Sequence, residues 1–400
     1  MGKIVVLHFS DCFYPRINGV TVAIESISFA LKNKDIDSII LAPSYEDVET
    51  IKIEELQGMD IIRIPSKRFI FNPEDRFMSP FLVDEIYNEI SNKISNYSTV
   101  VFLFHNIMNS FVIGYFLYKK LKNSINLKKS TNSKIIKIGY YHTFWEYYLH
   151  YIPLPKFLLL KTLDLVEGIF FSKMDYIFVA NEYVGIKISE RYGLNGKVLI
   201  NPLPLNKIFF DDCDVSQNLD HYLCKKYLLY VGRLGKEKNL YFLLDVFYEI
   251  SKKDDSILLY IIGDGPEKKN LVYYSEKLGI KERVVFWGYL NQEEIKKFYK
   301  FSTGVIFTSK TETLGLVVLE AMACQSVIFT INTPPFNYYI KSGYNGFLIE
   351  EDKERFANKI LDVIHDQNLI KRVKENVSSY LQTFHPDNFV NKMISLIGGL

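Results

Sequence analysis

ILLYIIGDGPEKKNLVYYSEKLG, residues 257–279, decides the fold class of this chain. It opens on six consecutive apolar or aromatic residues, turns at Gly-Asp-Gly, and continues with apolar positions at helical spacing. A short apolar run reads as a strand buried on both faces, and the segment after the turn as an amphipathic helix. Pro266 is expected at the first helical position, where its missing N–H costs nothing.

The same strand–helix alternation runs outward in both directions. Towards the C-terminus come the strands RVVFWGYL, TGVIFTS and SVIFTI. Upstream, YLLYVGRL is a strand, and NLYFLLDVFYEISKK is a helix expected to be capped by Asn239. An earlier series comprises residues 3–9, then IDSIILAP, MDIIRIPS, TVVFLFH, IIKIGYYH, MDYIFVAN and KVLINPLP, again with helical segments between them. Four hundred residues exceed what one core usually organises. The reading is two doubly wound Rossmann-like α/β domains in tandem, with a boundary near residues 204–214. The N-terminal domain, residues 1–205, is expected on the acceptor side. Residues 206–380 would form the C-terminal domain, and residues 381–400 a helix returning to the N-terminal domain. Two such domains facing a cleft would suit an enzyme that joins two substrates.

Composition excludes little. The formal net charge is +2, apolar residues make up 48% and charged residues 24%. Residues 101–150 are locally basic, with seven lysines and one acid, Glu146. The run at 119–137 reads either as a solvated helix end or as a patch for an anionic membrane surface. It has few interleaved aromatics, which argues against a nucleic-acid partner. The cysteines Cys12, Cys213, Cys224 and Cys324 have no metal or redox spacing, which suits a reducing, cytoplasmic compartment. The N-terminus lacks a signal-peptide pattern. Residues 94–118 carry no charge over 25 positions, yet His105, Asn106 and Asn109 interrupt them. They read as a buried strand, a polar turn and a packed helix rather than a membrane span.

Ligands of doubly wound sheets bind beyond the carboxyl ends of the strands, against helix N-termini. In KTETLGLVVLEAMAC, residues 310–324, Glu312 is expected in a loop after a strand and Glu320 in the second turn of a helix starting near Leu314–Gly315. The amides of Leu314, Gly315 and Leu316 would face an anion, with the carboxylates accepting from sugar hydroxyls. In VGRLGKEKN, residues 231–239, Arg233 and Lys238 flank a short loop and suit a diphosphate. IIGDGP places Gly263 at a strand end, either as a tight turn or beside a phosphate or ribose. It lacks the third glycine of a dinucleotide fingerprint. Asn18–Gly19 and His142 lie at strand ends of the N-terminal half. For each, a plain structural role competes with ligand contact.

Together these stretches resemble the retaining glycosyltransferases of family 4, which have the GT-B fold. The likeness runs from SDCFYPRINGVTVAIESIS through YYHTFWEYYLHYIPLPK, VGRLGKEKN, IGDGP and FWGYL to TETLGLVVLEAMAC and SGYNGFLIEED. The first two are most similar to enzymes that glycosylate membrane lipids. The resemblance implies a catalytic set of His142, Arg233, Lys238 and Glu312. It implies substrate contacts from Gly19, Gly263, Tyr289, Leu290, Leu314, Gly315, Leu316 and Glu320. Arg233 and Lys238 would hold the donor diphosphate, Glu320 the ribose hydroxyls, and Tyr289 and Leu290 the base. His142 and Glu312 would lie beside the donor sugar. No metal motif such as Asp-x-Asp stands out, and no cofactor is implied beyond a UDP- or GDP-linked sugar donor. The acceptor would be a lipid or a cell-envelope glycan, met at the inner face of a membrane.

The chain departs from the family pattern at Gln325 and Val327, and at TPPFNYY, where Pro334, Pro335 and Tyr338 replace two glycines and a glutamate. The prolines supply no N–H donors. They motivate an alternative, a catalytically impaired nucleotide-sugar-binding partner in a glycosylation complex. A GT-B epimerase acting on the nucleotide sugar alone is a third reading.

Overall fold

A computed structural model describes residues 3–68, 76–128, 134–194, 196–211, 221–377 and 381–398, with only the backbone described at 125–128 and 151. It divides into two compact units, Met1–Pro204 with Pro386–Leu400, and Leu205–His385.

The first unit is built on a sheet containing β1 (Ile4–Phe9), β2 (Asp37–Pro43), β3 (Lys52–Leu56), β4 (Met59–Ile64), β7 (Thr99–Phe104), β8 (Lys134–Tyr140), β9 (Tyr176–Val179) and β10 (Val198–Ile200). Between β4 and β7 lies a two-stranded antiparallel pair, β5 (Ser66–Arg68) and β6 (Arg76–Met78). The sheet order is β10-β9-β8-β7-β1-β2-β4-β3. All neighbours are parallel except β3 and β4. The parallel strands are mostly apolar because both faces of the sheet are covered. Val5, Leu7 and Phe9 share one core with Phe102, Phe104, Phe111 and Phe170. Covering helices include α1 (Gly19–Lys32), α2 (Val83–Lys93), α3 (Asn109–Lys128), α4 (Lys156–Lys173) and α5 (Glu182–Tyr192). The helix Pro386–Gly398 packs on α1, and the Asn201 side-chain amide donates to the Phe389 carbonyl at 3.3 Å. Residues 94–118 resolve into β7, a polar turn and the start of α3. Among the described residues no helix is long and apolar enough to cross a membrane.

The second unit contains β11 (Tyr227–Val231), β12 (Leu258–Ile262), β13 (Val284–Gly288), β14 (Gly304–Phe307), β15 (Ile328–Ile331) and β16 (Phe347–Ile349). Their order is β13-β12-β11-β14-β15-β16, parallel throughout. This is the doubly wound order in which the winding reverses between two central strands. Here the reversal lies between β11 and β14. The loops leaving those strands, 232–239 and 308–315, therefore flank the crevice where such sheets bind ligands. The helices are α6 (Leu240–Ser251), α7 (Lys268–Lys277), α8 (Gln292–Phe301), α9 (Leu316–Ala323), α10 (Phe336–Tyr339), α11 (Lys353–Ile364) and α12 (Gln367–Glu375).

Two local expectations fail. Pro266 is not the first residue of α7, which starts two positions later at Lys268. Asn239 stands before α6, but its φ is +55° and its side chain makes no cap; its amide donates instead to Glu351 at 2.9 Å.

Candidate active site

In the second unit, the loop after β11 is held by the loop after β14. The Thr308 hydroxyl donates to the carbonyl of Lys238 at 3.1 Å, and the Thr311 hydroxyl to that of Glu237 at 3.4 Å. The ammonium of Lys238 meets the Glu312 carboxylate at 2.6 Å, both side chains mostly buried. Two residues expected separately from sequence thus form one pair. Arg233 reaches Glu237 at 3.2 Å, and the Glu237 carboxylate lies over Gly235, where a Cβ would stand 2.3 Å from its Oε1. The cations sit at the strand's carboxyl end as expected, each oriented by an acid from the same two loops.

Gly315 occupies the position before α9 with φ +77°. Any other residue would be strained there, and its Cβ would lie 2.7 Å from Cε1 of Phe336. Because glycine has no side chain, α9 has no side-chain cap. The amides of Gly315, Leu316 and Val317 have no backbone acceptor among the described residues, whereas Val318 already donates to the Gly315 carbonyl. The helix opens at Leu316, just after the expected Leu314–Gly315 start, and the Leu314 amide likewise has no backbone acceptor among the described residues. The departing TPPFNYY segment supports this turn from beneath: Phe336 packs on Gly315, and the Tyr339 hydroxyl donates to the Leu314 carbonyl at 2.8 Å.

Glu320 lies in the second turn of α9, half-buried, and accepts from the Tyr299 hydroxyl at 3.2 Å. Desolvation pushes its carboxyl up to about 7, against the opposing effect of the Tyr299 bond. Tyr299 was not singled out from the sequence; in α8, QEEIKKFYKF, nothing marks it among the lysines and phenylalanines. Nor were Thr308 and Thr311, although the hydroxyl-rich run TSKTET directly after a strand was visible.

Gly263 is accounted for by packing. A Cβ there would fall 2.1 Å from the Gly232 carbonyl oxygen, because the ends of β11 and β12 approach closely and Gly263 N–H donates to Gly288 at 2.7 Å. Tyr289 follows β13 and is exposed, with Leu290 half-buried beside it.

In the first unit, Gly19 opens α1, but the Asn18 side chain accepts from both Val20 and Thr21 at 3.0 Å. Two first-turn amides are thereby already satisfied. His142 follows β8; its Nε2 stands 3.0 Å from Nδ1 of His105, and its ring lies against Tyr140 with centroids 4.4 Å apart. Burial lowers its pKa to about 3, so the ring is neutral at physiological pH. His105 was read from the sequence only as a polar break in an apolar stretch, and its neighbour His8 was not singled out.

Across almost its whole length the chain aligns with GT-B structures. A sucrose-phosphate synthase from Thermosynechococcus elongatus aligns with TM-score 0.74 and 16% identity, covering 99% of this chain and 98% of the other. Anabaena HepE in complex with UDP and glucose aligns at TM-score 0.73 and 15% identity, covering both chains fully. The fold is that of the GT-B glycosyltransferases. In sequence, residues 214–379 match the family described as "Glycosyl transferases group 1". The alpha-monoglucosyldiacylglycerol synthase of Streptococcus pneumoniae is 26% identical over 95% of this chain and 86% of its own length. The N-acetyl-alpha-D-glucosaminyl L-malate synthase of Bacillus anthracis is 27% identical over 42% of this chain and 44% of its own. The protein is a glycosyltransferase, and its likeness to the family 4 enzymes, drawn above from motifs, is borne out.

Proposed function

We propose that this chain is a retaining hexosyltransferase that moves a hexose from a UDP- or GDP-linked donor to a hydroxyl of a membrane lipid or cell-envelope glycan. The observation that carries this reading is the pairing of Lys238 with Glu312 beside the uncapped start of α9, at the reversal point of the second sheet. As the glycosidic bond lengthens, negative charge builds on the leaving diphosphate. Arg233, Lys238 and the α9 amides would stabilise that charge more in the transition state than in the ground state. Glu320 would accept from ribose hydroxyls and Tyr289 and Leu290 would border the base. In the first unit, His142 would meet the donor sugar and Gly19 the diphosphate. The leaving phosphate oxygen itself would take the acceptor proton on the same face, so no protein nucleophile is assigned. The alternative of an impaired partner gains no support from Pro334 and Pro335, because the segment they begin still braces Leu314 and Gly315.

A lipid acceptor is supported by the similarity to the S. pneumoniae synthase and by one face of the first unit. Helix α4 exposes Phe157, Leu158, Leu165 and Ile169, and α3 exposes Val112 and Phe116. The two helices pack together through Phe111 and Phe170, ring centroids 5.1 Å apart. Lys119, Lys122, Lys161 and Lys173 on these helices are also exposed. Apolar side chains among lysines suit peripheral contact with an anionic bilayer at its inner face. Of the basic run at 119–137, residues 129–133 lie outside the described residues.

A panel of UDP-, GDP- and ADP-sugars, read first by thermal shift and then by radiolabel transfer to lipid and glycan acceptors, tests the proposal. Transfer with the anomeric configuration kept is expected. Donor binding without transfer or slow hydrolysis would favour the impaired partner, and donor conversion without acceptor would favour an epimerase.

A further inference from the structure

The single acid among residues 101–150, Glu146, lies inside the aromatic run TFWEYYLH, residues 143–150, that follows His142. The run leaves the carboxyl end of β8 and reaches α4 through two single-turn helices, Trp145–Tyr147 and Leu149–Tyr151. Its backbone bonds are local: Tyr147 donates to Phe144 at 3.1 Å, Tyr148 to Trp145 at 2.9 Å and Ile152 to Leu149 at 3.1 Å. Side chains tie it to its neighbours. The Glu146 carboxylate accepts from Lys187 Nζ at 2.9 Å on one oxygen and from Arg191 at 3.2 Å on the other. Arg191 Nε also donates to Asp164 of α4 at 2.8 Å, so one carboxylate of the run is joined to both following helices.

Lys187 and Arg191 stand four residues apart on α5, where like charges share a face and repel. The carboxylate between them offsets that repulsion. Only 17% of the Glu146 side chain is exposed, so neutralising it would leave two partly buried cations uncompensated. Lys187 also lies over rings of the same run, its Nζ 4.0 Å from the centroid of Phe144 and 5.3 Å from that of Tyr147. Such contacts strengthen as the ammonium is desolvated. Burial works to lower the pKa of Lys187, but the bond and charge of Glu146 outweigh it and the ammonium stays charged. Phe144 in turn packs edge-on against Tyr141, whose hydroxyl donates to the buried Glu167 at 3.1 Å. The start of the run is therefore fixed from α4 and its middle from α5.

We propose that Glu146 is a positioning residue: through Lys187 and Arg191 it holds the run against α5 so that Trp145 and Tyr148 border the acceptor beyond the end of β8. These two side chains are half-buried, with ring centroids 6.4 Å apart in an edge-on arrangement. With the carboxylate committed to two cations, the surface they form is aromatic and uncharged, which suits a neutral, hydroxyl-bearing acceptor group. Contact with the acceptor rests on the function proposed above; the anchoring does not.

The chain has two tryptophans, Trp145 in this run and Trp287 in the second unit. Fluorine NMR of the full-length protein labelled with fluorotryptophan therefore reads the run and carries its own control. Glu146→Gln and Lys187→Met preserve side-chain size, and each should shift or broaden the Trp145 resonance while leaving that of Trp287 in place. Lys187→Arg keeps the charge and should retain the wild-type Trp145 signal. An unmoved Trp145 resonance in both Glu146→Gln and Lys187→Met overturns the anchoring, and an equal disturbance at Trp287 overturns its local character. For transfer, KM for the acceptor should rise about tenfold in Glu146→Gln, the scale of a lost hydrogen bond to a charged group, while KM for the donor stays within about threefold. A donor KM that rises as much overturns the acceptor contact. If the spectra behave as stated but no nucleotide sugar is turned over by any form, the proposed function fails and the anchoring stands.

Discussion

Donor binding should be linked to a proton at Glu320. Its carboxyl titrates near 7 in the free protein because burial disfavours the charge. A free-protein value above the unfolded value means that the folded state holds a proton the unfolded chain has already released. The unliganded protein therefore loses stability as pH rises from the usual carboxylate range to about 7. On the proposed function, ribose hydroxyls donating to Glu320 would favour the ionised form, so binding should expel the proton and affinity should rise with pH until the carboxyl is ionised. With a titration point of about 7, about one carboxyl in eleven is ionised at pH 6. If only that form accepts both hydroxyls, Kd should be about tenfold weaker at pH 6 than at pH 8 and level above that. Near pH 7 about half a proton should be released per nucleotide bound. Calorimetry in two buffers of different ionisation enthalpy counts it. A nucleotide diphosphate sugar is the proper titrant, because its diphosphate has no ionisation in this range. Glu320→Gln should bind more weakly, with no pH dependence. A flat Kd from pH 6 to 8 with no proton exchange in the wild type would refute the reasoning.

Lys238→Ala should lower kcat/KM about a hundredfold or more, the scale of a lost charge-stabilising donor, and a fall under about threefold would count against the role. Gly315→Ala adds a Cβ 2.7 Å from Phe336 at a φ of +77°; unfolding free energy should drop by about 2 kcal/mol, read as a lowered Tm, and an unchanged Tm would show that this turn relaxes freely. Co-sedimentation with vesicles should require anionic lipid and weaken in a Phe157→Ser, Leu165→Ser variant; binding insensitive to lipid charge would remove the basic face from the account.

The parallel strands were legible because most of them are dominated by apolar residues, as a sheet covered on both faces demands. The strand β3, KIEEL, was not, since its residues are mostly exposed and its antiparallel pairing with β4 depends on a turn rather than on burial. Helix starts failed where backbone geometry overruled residue preference. Asn239 is a favoured cap type, yet its left-handed φ turns the side chain to Glu351. Within the site, the chemical types and strand-end positions could be read, but their pairing could not. Lys238 and Glu312 are 74 positions apart, and they meet because the winding of the second sheet brings β11 next to β14. His8 gave no signal because a histidine inside an apolar strand reads as packing until its neighbour across the sheet is known, and His105, just after β7, was read only as a polar break in an apolar stretch.

The starts of α1 and α9 are wired oppositely. Asn18 serves the opening amides of α1, so that end of the fold is self-sufficient. Gly315 has no side chain to serve those of α9, and on the proposed function they would meet the donor diphosphate. Hydrogen exchange should register the difference: Gly315, Leu316 and Val317 should exchange quickly in the empty protein and slow on nucleotide binding, while Val20 and Thr21 stay protected in both states.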